Sequence, residues 1–381
     1  MQIHVVNNGD SLYTIGRRFG VNHQKIARDN GINPGETLVV GQAIVIMGVG
    51  EKAKLGTVKV NGYAYANIAE DVLDKTLPYL TFLSLFSYEA LENGDIKPIA
   101  VSAAEDKAIA KAIDSNVKPA MVITNIGASG NFEPELAQAI LNNPQVVDKL
   151  INNVLETMRA KKYAGLDVDF EFVLPQDREA YNNFLAKCAE KMHENGFFIS
   201  CAIPAKEAES TTDALSGAYD YAAIGSIVDY VILMTYEWGY ATSGAMAVAP
   251  IINVENTLKF AVSQIPPSKI LMGIPNYGYD WPTPASRQNP GRAISNTAAA
   301  ELARKHNQTI NFDEDAQTPF FVYFDEAGKR REVWFEDARS VKAKLELAAK
   351  YKLGGFSYWT INSFWPQNWL ILNTMYNISR G

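Results

Sequence analysis

The chain has 381 residues, 47% hydrophobic and 20% charged, enough for a sizeable core and for two or three domains. A net charge of −7 argues against nucleic acid or an anionic membrane as the main partner, and no run reaches the roughly 18 apolar residues of a membrane span. The two cysteines, Cys188 and Cys201, cannot build a disulfide framework and read as buried thiols.

Residues 2–47 read as one small unit. Gln2–Val6 alternates like a strand, and Asn8-Gly9-Asp10-Ser11 is a turn with a helix N-cap at Asp10 or Ser11. Leu12, Ile15 and Phe19 recur at helical spacing, and Gly20 closes that helix. Asn22 opens a second helix that runs through Ile26 to Asn30. Ile32-Asn33-Pro34-Gly35 turns, and Ala43–Ile46 returns as a strand. Met1 leads straight into this pattern with no basic start and no apolar core segment, so no signal peptide is expected. The βααβ order, with its Gly-Asp-Ser-Leu and Leu-Val-Val-Gly-Gln segments, resembles a LysM domain over residues 1–48. The resemblance implies binding of N-acetylglucosamine-containing glycans through Gly9, Asp10, Ser11 and Leu12 after the first strand, and Asn30, Ile32 and Asn33 before the second.

Residues 49–54 form a short polar linker. From Val58 onward, apolar runs alternate with amphipathic segments. The runs are Val58–Ala66, Leu80–Tyr88, Lys118–Gly127, Ala164–Val173, Phe197–Ile203, Val228–Tyr236, Lys269–Tyr277 and Leu353–Ile361. Helical patterns lie between them, such as Glu135–Arg159, broken near Pro144, and Arg178–Glu194. Eight strand–helix alternations predict an α/β fold, a (β/α)8 TIM barrel, over residues 55–381. The extra length falls at about 280–336. There a helix at Thr297–Lys305, the segment Thr309–Phe312 and a hairpin of Phe320–Phe324 with Arg331–Phe335 predict a small α+β insertion.

One stretch is costly for a structural strand. In Tyr163–Phe172, Asp167, Asp169 and Glu171 fall on one face, and Leu166, Val168, Phe170 and Phe172 on the other. Like charges at this spacing repel, and burial disfavours their ionised form. Crowded carboxylates suit an active site, because one member stays protonated near neutral pH as a general acid. A solvated acidic face and a metal site are the rival readings. The flanking Phe and Val point to an interior strand, and none of the four histidines lies near this stretch, so no metal is expected. As the fourth strand of the barrel, the stretch would carry its acids toward the C-terminal mouth, with Glu171 uppermost. Tyr and Trp are numerous, 18 and 6, which fits sugar stacking as well as core packing.

Tyr163–Glu171 resembles the D-G-x-D-x-D-x-E signature of glycoside hydrolase family 18. Met234-Thr235-Tyr236-Glu237, Gly273-Ile274-Pro275-Asn276-Tyr277-Gly278 and Gly354-Gly355-Phe356-Ser357-Tyr358-Trp359 resemble its sixth-, seventh- and eighth-strand motifs. The resemblance implies a retaining, substrate-assisted mechanism without metal or cofactor. Glu171 would be the acid and then the base, Asp169 would orient the substrate's acetamido group, Asp167 would share a proton with Asp169, and Tyr236 would hydrogen-bond the acetamido carbonyl. Trp359 would floor the sugar pocket, with Glu237, Met234, Tyr65, Asn276 and Tyr277 as further substrate-binding candidates. Trp238, Tyr240, Tyr279 and Trp281 either line a sugar groove or pack under the insertion. Ala164 stands where the signature has its first Asp, and Glu237 where the sixth-strand motif usually has Asp.

A LysM unit ahead of such a barrel resembles the spore germination enzymes that degrade cortex peptidoglycan, which implies an N-acetylglucosaminidase placed at the spore coat or cortex. A cell-wall or extracellular location is the alternative. A chitinase or chitooligosaccharide hydrolase shares the same acetamido chemistry, and a glycan-binding barrel without activity is the rival of a different class. The expected partner is a peptidoglycan or chitin-like glycan, with neither nucleic acid nor membrane.

Overall fold

Caps and turns shape the N-terminal unit of the computed structural model, which describes residues 1–48, 53–99 and 102–380. The expected linker lies largely outside these residues, since 49–52 are not among them. Strand β1 (Gln2–Val5) pairs antiparallel with β2 (Ala43–Ile46), and helices α1 (Leu12–Phe19) and α2 (His23–Asn30) lie between them in sequence. Ser11 caps α1: its Oγ accepts from Thr14 N–H at 3.1 Å, and its own N–H donates to Thr14 Oγ1 at 2.8 Å. Asp10 is not the cap. Its carboxylate instead accepts from Asn7 N–H, His4 and Arg18, bracing the turn. Gly20 ends α1 at φ 68°, and Asn22 caps α2 through Gln24 N–H at 2.8 Å. Leu12, Ile15, Ile26 and Ile44 fill the small core between helices and sheet.

The barrel strands are β3 (Thr57–Ala64), β4 (Phe82–Ala90), β6 (Lys118–Thr124), β7 (Gly165–Asp169), β8 (Phe198–Pro204), β9 (Tyr230–Met234) and β10 (Ile270–Pro275), closed by a last strand near the C-terminus. A short β5 (Ile96–Pro98) pairs antiparallel with the end of β4. Helices α3 (Glu70–Thr76), α4 (Ser102–Asp114), α5 (Pro134–Leu141), α6 (Pro144–Lys161), α7 (Arg178–Glu194), α8 (Tyr221–Ile227) and α9 (Ile251–Gln264) connect them. Pro144 starts α6 behind the cap Asn143, which explains the break in the helical pattern. After β10 the chain leaves the barrel. The strands β11 (Gly278–Pro282), β12 (Arg292–Ile294), β13 (Asn311–Asp313), β14 (Thr318–Phe324) and β15 (Arg330–Trp334) form an antiparallel sheet in the order β12-β11-β15-β14-β13, with α10 (Asn296–Lys305) against it. The sheet thus begins at Gly278, just ahead of the expected insertion. Helix α11 (Ala338–Tyr351) leads to β16 (Gly355–Trp359), which pairs parallel with both β10 and β3 and closes the barrel of eight parallel strands; α12 (Pro366–Met375) and β17 (Asn377–Ile378) follow.

The outward residues of β7, Leu166 and Val168, pack under the helices, and Phe170 just beyond stacks on Phe184. The inward filling includes Phe82, Val122, Phe198 and Ile232. Gly165 is required here, because a Cβ would collide with the Phe198 ring that plugs the barrel below the acids.

The N-terminal unit is fastened to the rest. Gln367 on α12 donates to Asn30 Oδ1 and to Ala43 O, each at 2.8 Å. Arg304 on α10 pairs with Glu36, Ile310 N–H bonds Val40 O at 2.9 Å, and Val39 joins the apolar core of the insertion. Among the described residues no helix is long and apolar enough to cross a membrane.

Candidate active site

Strand β7 presents two acids to the barrel interior and ends at Asp169; Glu171 lies just past it, so the expected strand through Val173 is shorter. Asp167 is fully buried. It accepts from Ser200 Oγ of β8 at 2.6 Å and from the Tyr63 hydroxyl of β3. Burial pushes its carboxyl up to about 6, while those two hydrogen bonds favour the charged form. Asp169 is 4% exposed, and its Oδ1 has no hydrogen-bond partner. Burial, then the charges of Glu171 and Asp167, hold this carboxyl well above its ordinary value. Glu171 is pushed up to about 7, first by burial and then by the charge of Glu237. The arrangement therefore keeps a proton on the acid cluster near neutral pH.

The backbone at Glu171 is clamped from the residue just past β6. Asn125, itself fully buried, accepts from Glu171 N–H at 2.8 Å and donates to Glu171 O at 2.9 Å and to Glu133 O at 3.1 Å. Tyr219 holds the next turn, donating to Phe170 O at 2.8 Å and accepting from Val173 N–H at 3.3 Å. Phe172 adopts φ 56° and is 43% exposed, so it departs from the outward-packed face expected for it and turns into the cleft wall.

The cleft above the acids is a cavity of about 900 Å³, the size of a small-ligand site. Asp169, Glu171, Tyr236, Glu237, Met234 and Trp359 all line it. Trp359 lies edge-on to Tyr63 and Phe86, with ring centroids 5.4 and 5.3 Å apart, and the Trp359–Thr360 peptide is cis. Glu237, at φ 67°, accepts on Oε1 from the hydroxyls of Tyr277 at 2.5 Å and Tyr279 at 3.0 Å. Burial raises its carboxyl, and these two hydroxyls oppose that. Tyr277 thus reaches the site through Glu237. Tyr65 stands past the end of β3, exposed and edge-on to Trp359 at 6.1 Å, and is not among the residues lining the cavity.

Several expectations are corrected. Asn276 is buried, and its Nδ2 donates to Thr360 O and Ser363 O, both at 2.8 Å, so it braces the loop after β16 and does not face the cleft. Of the four aromatics left open, Trp238 and Tyr240 line the cavity, Tyr279 supports Glu237, and Trp281 is wholly buried. In the N-terminal unit, Leu12 and Asn30 are each 5% exposed. Leu12 fills the core. Asn30 bonds Val45 N–H and O, Ile26 O and Gln367, leaving no group free for a glycan. Gly9, Ser11 and Asn33 stay exposed, Asp10 and Ile32 are partly covered, and none lines the cavity. Asn125, Ser200, Tyr219, Phe172, Leu215 and Arg287 belong to the site or its support without having been picked out from sequence. Phe172 lies in the acidic stretch but on the face expected to pack outward; each of the others comes from a different segment and carries no local signal. Among the described residues, no group of three or more His, Cys, Asp or Glu is placed to hold a metal ion.

Comparison with known proteins agrees with this fold. The model for glycosyl hydrolases family 18 matches residues 56–363, and the LysM domain model matches residues 4–46. The chain is 38% identical to the cortical fragment-lytic enzyme of Bacillus anthracis, over 100% of this chain and 99% of that one. It superposes on the crystal structure of the Bacillus cereus spore cortex-lytic enzyme SleL with a TM-score of 0.93, at 35% identity and covering 100% and 98% of the two chains. A chitinase from Chromobacterium violaceum is more distant, at 25% identity and TM-score 0.77, covering 84% of this chain and 98% of that one.

Proposed function

This chain belongs to glycosyl hydrolase family 18 and is a glycoside hydrolase with a LysM domain, and we propose that it cleaves N-acetylglucosaminidic bonds in spore cortex peptidoglycan during germination, with retention of configuration. The observation that carries the mechanism is the buried Asp169 Oδ1, which lacks a partner beside an acid that keeps its proton near neutrality. A buried unpaired acceptor is costly, and a substrate acetamido N–H would satisfy it.

The geometry supports the following steps. Glu171 gives its proton to the glycosidic oxygen as the bond from that oxygen to the anomeric carbon breaks. The substrate's own acetamido carbonyl oxygen bonds to the anomeric carbon and forms an oxazolinium ion. Asp169 accepts the acetamido N–H and offsets the positive charge, with Asp167 beneath it, held by Ser200 and Tyr63, as its proton-sharing neighbour. The Tyr236 hydroxyl donates to the acetamido carbonyl. Water then attacks the anomeric carbon, Glu171 takes its proton, and the ring opens to restore the acetamido group. Trp359 forms the apolar floor under the sugar, and Glu237 meets the substrate from the wall. This reading needs no cofactor. The LysM unit, with Gly9, Asp10, Ser11, Ile32 and Asn33 at its surface, would hold the glycan strand, and residues 49–54 would join it to the hydrolase. The names of the 38%-identical relatives support action at the spore cortex, with a cell-wall or extracellular site as the alternative.

The test is product analysis. Wild-type protein and Glu171→Gln are incubated with cortex fragments and with chitin oligosaccharides, and new ends are identified by mass spectrometry. Cortex products ending in reducing N-acetylglucosamine, lost in the variant, are expected. Turnover of chitin oligosaccharides alone would replace the cortex substrate with a chitin-type one, and binding without cleavage would overturn the catalytic reading.

A further inference from the structure

A smaller cavity, of about 60 Å³, lies between the N-terminal unit and the insertion and shares no lining residue with the acidic cleft. Gly31, Ile32 and Glu36, from the loop between α2 and β2, form one wall. Asn296, Ala300 and Glu301, from the first turns of α10, form the other. Two fastenings frame the gap, and both belong to its lining: Arg304 pairs with Glu36, and Gln367 donates to Asn30 Oδ1. Gly31, at φ 66°, lies so near α12 that a Cβ there would stand 2.9 Å from Pro366 Cγ, so the loop is seated against the rest of the chain.

One group in this cavity is left over. Asn296 is 4% exposed, and its Oδ1 accepts from Glu336 N–H at 2.9 Å. That bond settles which end of the amide is the oxygen and holds the side chain in one orientation. The Nδ2 end has no hydrogen-bond partner among the described residues. A buried donor without an acceptor is costly, and a ligand that brings one would relieve it.

The size and lining of the cavity narrow the ligand. A single water needs roughly 10–15 Å³, so the space takes about four to six atoms of that size. An acetamido group, with its carbonyl, its nitrogen and its methyl, is of that scale. It asks for a donor to the carbonyl, an acceptor from the N–H and an apolar seat for the methyl. Asn296 Nδ2 supplies the first, the Glu301 carboxylate the second, and Ile32, Ala300 and Trp365 the third. We propose that this junction cavity is a glycan subsite for an N-acetyl group, so that the loop between α2 and β2 grips the chain together with Asn296 of the hydrolase domain. This rests on the glycan-binding reading of the N-terminal unit and names a residue outside that unit that completes it.

The test is amide hydrogen exchange, read by mass spectrometry, on the full chain carrying Glu171→Gln so that no probe is cleaved. The probes are an N-acetylglucosamine oligosaccharide and a cello-oligosaccharide of equal length, which has no acetamido groups. The acetylated chain is expected to slow exchange in 31–36 and 296–301, and the cello-oligosaccharide to leave both segments unchanged. Adding Asn296→Ala should raise the glycan concentration needed for half of that protection about 5- to 10-fold, the scale of one hydrogen bond. Protection of the cleft segment 234–240 should keep its midpoint. Asn296→Ala also removes the acceptor of Glu336 N–H, so Ala300→Leu, which fills the cavity and breaks no side-chain hydrogen bond, is the second variant and should shift the junction midpoint the same way. Protection confined to the cleft, equal protection of the junction by both sugars, or an unchanged junction midpoint in either variant would overturn the subsite while leaving the hydrolase reading intact. Absence of protection in the cleft as well would remove the glycan reading itself, and this proposal with it.

Discussion

Replacing Asn125 by alanine separates holding the acid from having it. The side chain makes three hydrogen bonds, two of them to the backbone of Glu171, and it is shut away from solvent. At a net value of roughly 1 kcal/mol each, their loss costs about 3 kcal/mol of folding free energy if water does not replace them. The chemical effect is a separate quantity. Glu171 would keep its carboxyl but lose the brace that fixes its backbone, and a displacement of about 1 Å is worth on the order of 100-fold in rate. Urea unfolding gives the first number, and kcat on an N-acetylglucosamine oligosaccharide, measured below pH 7 where Glu171 holds its proton, gives the second. We expect kcat to fall between about 10- and 100-fold, with a much smaller change in KM. A variant that loses the stability yet keeps its kcat would refute the argument that the Asn125 clamp positions the acid.

The pH profile should follow Glu171: it carries its proton below about 7, so kcat/KM should fall as pH rises through that value, and Glu237→Gln should move this limb to lower pH by removing a negative neighbour. The same upward shift makes the folded state bind a proton more tightly than the unfolded chain, so stability is lost between about pH 4.5 and 7; Glu171→Gln should be inactive yet more stable than wild type at pH 8, by on the order of 1–3 kcal/mol in urea unfolding, and equal stability there would contradict the burial argument. Gly165→Ala should destabilise the barrel by about 1–3 kcal/mol through the clash with Phe198, and a neutral result would mean that ring can move aside. Gln367→Ala leaves Ala43 O and Asn30 without a partner from α12, so amide exchange in β2 should speed up relative to the barrel strands; uniform exchange would show that the remaining contacts suffice to dock the unit.

Much of the fold was legible because its signals are local. All eight barrel strands coincide with apolar runs, and the ends of α7 match the amphipathic segment Arg178–Glu194. The N-terminal unit was equally readable from Ser11, Gly20 and Asn22, whose caps act within a few residues. The acidic run stood out because alternation puts its members on one face, where an ordinary strand gains nothing. What stayed hidden depends on closure of the chain. Asn30 reads as a glycan-binding candidate at the end of the second helix until α12 brings Gln367 against it. Phe172 follows the alternation in sequence but turns at a positive φ, where Asn125 anchors the carbonyl of Glu171 and Tyr219 that of Phe170. Asn276 sits inside a recognisable motif, yet its amide is spent on a loop more than 80 residues away. Asn125 sits near the end of an apolar run with nothing local to mark it, and only the assembled cleft gives it a role.

The central claim is that the substrate's own acetamido group, oriented by Asp169, does the first displacement under acid from Glu171. The most direct measurement follows the anomer formed first, by proton NMR, from matched glycans with and without the N-acetyl group at the cleaved sugar. The account predicts the retained anomer from the acetylated glycan and no detectable turnover of the de-N-acetylated one. An inverted first product, or cleavage of both glycans at similar rates, would contradict it.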